Sequence, residues 1–529
     1  MSARKQTFIQ GAMILLAAGL INRLLGFVPR IALPRIIGAE GVGLTQLVLP
    51  FMTVVLTVII GGLPLAVAKM VAEADTQGRS AQVRRIVRVA MTIAVTLSIS
   101  VAAACLALSD WIAYEMMTDS RVRSVFLVMV PILPLIAVSS VWRGYFQGKQ
   151  NMLPTAFAST IETIVRIVLT LLFAYMFLPM GLEAAAAGAM LGMGAGELAG
   201  LLVLAYQLYR DRKSDAESIP AGDAPDRPPP GGTGNGAERS LLRRMLGITV
   251  PVTGSRLIGS MSYLLESILT TRALVVAGLS VAAATAQYGA LQGMVLPLLM
   301  LPGALTYSLA VSLVPALSEA AAQGDWSGIQ KRLHQSMRLA VVTGAPFVAL
   351  LGLFAHPICS ILYDDDSMAD MLRWLAPVAV FLYMQAPLQA ALQALNRPGT
   401  ALFNTFVGAV IKLALIVQLA ALPEFGIKGA VIASSVNMGL VTLLHWISVA
   451  RLTGFRLLPL DFIKVLAAMT LMGALALWIW NTRLLPWDLL NLGAAFLGSV
   501  CLYLLVLIAL GLIDRHDVSR VPIVGRLFR

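Results

Sequence analysis

The 529-residue chain is 58% hydrophobic and only 12% charged, with a formal net charge of +12. A soluble domain carries about 25% charged residues, so composition excludes a soluble fold and points to an integral membrane protein with many spans. The positive balance does not indicate nucleic acid, because most basic residues sit in short loops between apolar runs, where they report topology.

An apolar stretch of ~20 residues suffices to cross a bilayer as a helix. Fourteen such stretches are predicted, at 7–33, 44–73, 85–113, 123–145, 154–178, 184–210, 241–278, 287–320, 330–362, 369–395, 400–422, 428–452, 460–480 and 488–513. The predicted fold class is therefore an all-α polytopic membrane protein. The N-terminus, MSARKQTF, is basic and leads into an apolar run. That run outlasts a signal-peptide core and no clean small-residue cleavage site follows, so it is read as a retained first span.

Within and just beyond this span, Ile21 to Arg35 reads INRLLGFVPRIALPR. Its arginines, Arg23, Arg30 and Arg35, cannot deprotonate, and one at a helix centre costs roughly 2.5–3.5 kcal/mol even on the lenient scale. Such a residue faces a protein interior or a watery cavity. For Arg23 the competing reading is a structural pair with a neighbouring helix. For Arg30 and Arg35 it is snorkelling to the interface. Gly26, Pro29 and Pro34 predict a bend.

Span two ends on Lys69 and Glu73, both read as interfacial. Span five carries Glu162 and Arg166 at i,i+4, on one face and within pairing reach. They are either a self-neutralised packing pair or part of a cavity lining or charge relay. Glu197 of span six lies among glycines and alanines, a context of close helix packing. Span seven holds Glu266 and Arg272, and its Arg256-Leu257-Ile258-Gly259 echoes Arg23-Leu24-Leu25-Gly26. The candidate substrate-binding set is Arg23, Arg30, Arg256, Arg272, Glu162, Arg166 and Glu266.

Other echoes follow in order. Pro154-Thr155-Ala156 is matched by Gly399-Thr400-Ala401, and Gly181-Leu182-Glu183-Ala184-Ala185 by Gly426-Ile427-Lys428-Gly429-Ala430; Leu49-Pro50 is matched by Leu296-Pro297. The series predicts two six-helix lobes, 1–210 and 241–453, related as a parallel repeat about an axis along the membrane normal. Between them, 211–240 is rich in proline, glycine and charge and is expected to be a flexible linker. Residues 454–529 add spans thirteen and fourteen and a basic tail. One set of loops is basic (Arg79, Arg84, Arg85, Lys331, Arg332) and the alternate set acidic (Asp119, Glu183, Asp364, Asp365, Asp366). The positive-inside rule then predicts a cell-membrane protein with both termini and the linker in the cytoplasm.

Cys105, Cys359 and Cys501 are scattered and form no disulfide or metal spacing, and the histidines lie apart from them. No nucleotide-binding motif is present, nor a catalytic constellation. The expectation is a protein that is not an enzyme and has no cofactor, with ion or membrane-potential coupling left open as the drive.

INRLLGFVPRIALPRIIGAEGVGLTQLVLPF, WRGYFQGKQNMLPTA and IETIVR resemble the stage V sporulation protein B group of polysaccharide exporters. That group lies within the multidrug, oligosaccharidyl-lipid and polysaccharide exporter superfamily. The resemblance covers nearly the whole chain. It implies two six-helix bundles around a central cavity and alternating access. It also implies a polyprenyl-diphosphate-linked saccharide as cargo, a lipid II-like peptidoglycan precursor for spore cortex or cell wall. Membrane lipids, and cell-envelope synthesis enzymes, are the other implied partners. In the related lipid II flippases the first span has two cavity arginines; Arg23 matches one, and Arg30 falls one residue from the other. Those flippases also have arginines in spans two and eight, whereas Leu47 to Leu56 and Tyr288 to Met294 contain none.

Two other functions compete. A cation-coupled multidrug exporter on the same scaffold would use acidic groups such as Glu162 and Glu266, but span one has no acid. A membrane scaffold that recruits envelope enzymes would leave the charges in matching spans without a reason.

Overall fold

The computed structural model describes residues 8–217, 235–456 and 459–512. Residues 1–7, the 218–234 part of the expected linker and the expected basic tail 513–529 lie outside the described residues. The described residues form helices and no strand. Nine helices among them are long and apolar enough to cross a membrane, or up to eleven if each of two bent pairs counts as one span. One of the nine is the sixty-residue stretch Ala17–Thr76, which contains most of the first two expected spans. The protein is an all-α, multi-span membrane protein.

The chain groups into two compact units, Met1–Met294 and Val295–Arg529. Unit 1 contains α1 (Phe8–Leu25), α2 (Phe27–Ile60), α3 (Leu63–Thr76), α4 (Ser80–Ala107), α5 (Val122–Met129), α6 (Ile132–Gly148), α7 (Leu153–Phe177), α8 (Leu182–Glu217), α9 (Asn235–Val276) and α10 (Val281–Gly289). Helix α9 is the expected first helix of the second lobe, yet it packs in unit 1 against α2, α3 and α4. Its neighbour α10 also lies against α2.

Polar side chains in these helices satisfy themselves locally, as a low-dielectric setting demands. Thr53 and Thr57 of α2 donate to carbonyls one turn back, at Leu49 (2.8 Å) and Thr53 (2.7 Å). Thr92 and Thr96 do the same in α4. The α7–α8 hairpin is the tightest packing in the unit. A Cβ on Gly192 would collide with the main chain at Thr170, so glycine lets the two backbones touch. The hairpin reverses through Leu178–Met180 and Gly181, whose φ of 113° favours glycine.

Unit 2 contains α11 (Gly303–Ala322), α12 (Trp326–Leu353), α13 (Ala355–Tyr363), α14 (Ala369–Leu375), α15 (Ala379–Ala394), α16 (Pro398–Leu415), α17 (Ile427–Thr453), α18 (Pro459–Thr482) and α19 (Asp488–Ala509). Neutral hydrogen bonds join several of its helices, and His334 of α12 meets Asp461 of α18 at 2.9 Å. Tyr383 donates to the Leu299 carbonyl (2.7 Å), Thr442 to that of Phe381 (2.9 Å) and Tyr503 to that of Val342 (2.9 Å). Phe354 meets Trp480 and Phe496 edge-on, which seats α18 and α19 against the end of α12.

Candidate functional site

The first helix breaks where the glycine and prolines predict a bend, but by a different division. α1 stops at Leu25, Gly26 forms a turn, and α2 starts at Phe27. A second break falls at Gly38 (φ 65°, ψ 177°), which sequence reasoning did not single out, whereas Pro34 is carried within the helix. Asn22 Nδ2 donates to Ser159 Oγ of α7 at 3.1 Å. Arg23, the next residue, lies on an exposed face beside Leu20, Ile21 and Leu24. Arg30 is also exposed, with its guanidinium 5.6 Å from the centre of the Phe27 ring, a favourable cation–π arrangement. Arg35 is exposed as well.

Glu162 and Arg166 come together as their spacing predicts, at 3.1 Å. The stronger partner is one the spacing could not reveal: Arg143 Nη2 of α6 lies 2.6 Å from Glu162 Oε2. Glu197 of α8 hydrogen-bonds with Glu162 and feels the charges of both arginines. Two acids and two bases from three helices thus share one place. Gly196 and Gly200 make room for it, because a Cβ on the first would press on Arg166 and one on the second on Glu162. Glu162 itself is buried, and a buried carboxylate needs such partners to remain charged. The sequence hint was limited to the short turn between α6 and α7, which sets the two helices side by side without saying which residues face each other.

Helix α9 carries the remaining candidates. Arg256 Nη1 donates to the Gly61 carbonyl at 2.7 Å, at the break between α2 and α3. One turn earlier, Thr253 Oγ1 accepts from the Gly62 amide at 3.0 Å. Glu266 is buried and accepts a hydrogen bond from Gln292 Nε2 at 3.2 Å. Gln292 lies in a π-helical turn, Ala290–Val295, a distortion that recurs at functional sites. Tyr263 stands near both Glu266 and Arg30. Arg272, by contrast, spends its guanidinium on main-chain carbonyls, at Glu115 (2.5 Å) and Met116 (3.0 Å).

The candidate residues therefore fall into separate groups. Glu162 and Arg166 form a cluster with Arg143 and Glu197. Glu266 and Arg30 share Tyr263 as a neighbour. Arg23 lies on the exposed face of α1, Arg256 holds a helix break, and Arg272 holds a loop. Exposed arginines present planar, permanently charged donors matched to phosphate oxygens. No group of three or more metal-binding side chains occurs among the described residues.

Residues 8–321 match the family described as "Polysaccharide biosynthesis protein", and residues 260–417 match the MatE family. Stage V sporulation protein B of Bacillus subtilis (strain 168) is 38% identical over 529 residues, which cover 99% of this chain and 99% of that protein. Lipid II flippase MurJ of the same organism is 26% identical, over 84% of this chain and 83% of that protein. Among solved structures, lipid II flippase MurJ in an inward closed conformation superposes with a TM-score of 0.65 at 12% identity, covering 93% of this chain and 98% of that one. An inward-facing multidrug resistance MATE transporter of the MOP superfamily gives a TM-score of 0.66 at 15% identity, over 84% and 98%. Both structural likenesses concern the fold.

Proposed function

Since the chain belongs to the polysaccharide biosynthesis protein family, we propose that it moves a polyprenyl-diphosphate-linked saccharide across the cell membrane by alternating access. The relatives are transporters and not enzymes, and this protein is a membrane flippase or exporter. The proposed cargo is a lipid II-like peptidoglycan precursor for spore cortex or cell wall.

The observation that carries this reading is Arg23, a permanent charge on the exposed face of an apolar helix. A diphosphate head group that crosses hydrocarbon needs fixed cationic donors, and arginine supplies them without a proton to lose. Arg30 and Arg256 extend the set, and Glu162, Arg166 and Glu266 complete it, while the Arg272 guanidinium is spent on the Glu115 and Met116 carbonyls. The proposal includes lobes 1–210 and 241–453 as a parallel six-helix repeat, a 211–240 linker, fourteen spans and cytoplasmic termini.

The test is flipping of polyprenyl-diphosphate sugars by the purified protein in liposomes, read by protection of the sugar from an external enzyme. Flipping of a diphosphate-linked cargo, and not of a neutral lipid, supports the reading. Absence of flipping with every polyprenyl-diphosphate sugar, in a protein that is inserted and folded, sinks it.

The contact between the Glu162 and Glu197 carboxyls favours a second reading, a cation-coupled multidrug exporter. That reading requires cationic drugs to be extruded down an imposed ion gradient, with loss on Glu197→Gln.

A further inference from the structure

The segment after α4, which includes the π-helical turn Ile112–Met116, the C-terminal turns of α9, the helix α10 and the stretch of α2 just past its Gly38 break are joined by a dense set of polar contacts. Asp119 is almost wholly buried, at 1% exposure. Its Oδ2 receives Thr285 Oγ1 of α10 at 2.8 Å and Arg121 Nη2 at 2.7 Å, and its Oδ1 receives Arg121 Nε at 3.0 Å. The same guanidinium reaches back to α2, with Nη1 at 2.6 Å from Glu40 Oε1. One residue before Asp119, the hydroxyls of Thr118 and Thr271 of α9 lie 2.7 Å apart. Arg272, next along α9, closes on the Glu115 and Met116 carbonyls.

Beneath these bonds α2 and α10 touch through glycine. A Cβ on Gly43 would collide with the Thr285 carbonyl, and one on Gly289 with the main chain of Gly43. The two helices pack with their backbones in contact, so little can pass between them here while the polar bonds hold.

Burial pushes the Asp119 carboxyl up, but hydrogen bonds from Arg121 and Thr285 and the Arg121 charge outweigh it and hold the group below the usual carboxylate range. It stays ionised at neutral pH and binds Arg121 in full.

The segment holds the α9 end through polar side chains and main-chain carbonyls, beside the buried Ile112, Met117 and Val122. Polar contacts of this kind exchange readily for water when the ends part, whereas a packed core is not continuously deformable. We infer that Asp119, Arg121, Thr118, Thr271, Arg272, Thr285 and Glu40 form a clasp that seals this end of the helix bundle and breaks once in each transport cycle. The inference rests on the alternating-access reading above. It adds which groups part, and it assigns Arg272 to the clasp instead of the cargo.

The experiment uses the full-length chain with Cys105, Cys359 and Cys501 replaced by serine. In one arm Thr118→Cys and Thr271→Cys are introduced together and bridged by mild oxidation or by a short bifunctional thiol reagent. The pair should bridge in the resting protein, and the bridged protein should flip cargo about tenfold more slowly or worse, with recovery when an oxidised bridge is reduced. A pair that fails to bridge by either route, or a bridged protein with an undiminished rate, overturns the clasp.

The second arm needs no cargo. Ser267→Cys sits on α9 one turn below Thr271 and is fully buried, so a membrane-impermeant maleimide should label it slowly. Asp119→Asn with Arg121→Gln should speed that labelling several-fold in protein that elutes as a single species. Unchanged labelling overturns the clasp. Failure of the cargo reading would instead appear as no flipping by the unbridged protein, while the accessibility change persisted.

Discussion

The two compact units bury polar groups of different kinds. In unit 1 the buried polar residues include three carboxylates, Asp119, Glu162 and Glu266; in unit 2, among the described residues, they are Asn404, Ser434, Thr442, His445, Thr453, Asn491 and Ser499, with no acid, lysine or arginine. A neutral group can be satisfied by one carbonyl, as Thr442 is by Phe381. A buried charge needs a counter-charge or strong hydrogen-bond donors, and that partnership costs desolvation which well-packed apolar residues would avoid. Charges kept inside a membrane protein are therefore expected to mark working parts. By that measure unit 1 holds the groups that bind or switch, whereas the charged contacts of unit 2, such as His334 with Asp461, lie at partly exposed positions.

The sharpest way to break this contrast is to remove a working charge. Arg23→Ala should insert normally, since loss of a charge eases insertion, while flipping per inserted molecule falls about ten- to hundredfold, as expected for a lost hydrogen-bonding contact to a charged group. Arg23→Lys keeps the charge without the planar fork and should lie between. Equal rates for the wild type, Lys and Ala forms would remove Arg23 from the site.

Next in size is Glu162→Gln, which leaves both Arg143 and Arg166 without their carboxylate. Both arginines are partly exposed and Glu197 stays beside them, so the cost falls below the roughly 3–5 kcal/mol of breaking a fully buried pair, and it is visible as a lower midpoint of thermal unfolding in detergent. Adding Arg166→Gln alone should restore little, because the 2.6 Å contact with Arg143 is the shorter one. The further change Arg143→Gln should restore more. Full recovery in the Glu162/Arg166 double variant would mean that the intrahelical pair is the one that matters.

Unit 2 should respond more mildly. Tyr383→Phe or Tyr503→Phe removes one neutral hydrogen bond to a carbonyl, a loss of about 0.5–1.5 kcal/mol, with flipping unchanged. A larger fall in flipping than in stability would show that unit 2 too contains a moving part.

The smallest effect is that of pH on the clasp. A carboxyl held below its ordinary value contributes stability that is present above the unfolded pKa and is lost as pH falls through the folded one. For Asp119 that window lies below the unperturbed value of about 3.9. Labelling of Ser267→Cys, taken at each pH relative to a fully exposed cysteine because the reactive thiolate becomes scarcer as pH falls, should consequently stay flat from neutral pH down to mildly acidic pH. A rise within that range, absent in Asp119→Asn, would place the titration of Asp119 higher than its partners imply.

Hydrophobic run length alone determined that this chain is helical and spans a membrane, because backbone groups in lipid must be satisfied within each segment. The i,i+4 pair of Glu162 and Arg166 was legible for the same reason: its geometry is internal to one helix. The resemblance carried by the first span likewise led to the right family. Only tertiary structure decided that Arg143 and Glu197 complete that pair, because their nearness depends on how α6, α7 and α8 cross. Asp119 read from sequence as a loop charge that reports topology, and Arg121 lies two residues beyond it. Their bonds to Thr285 and Glu40 span 166 and 81 residues and exist only because α2 and α10 meet at Gly43 and Gly289. Packing also drew α9 into unit 1. Local periodicity carries no information about which helix a side chain will face, and that choice is made by the fit of whole surfaces.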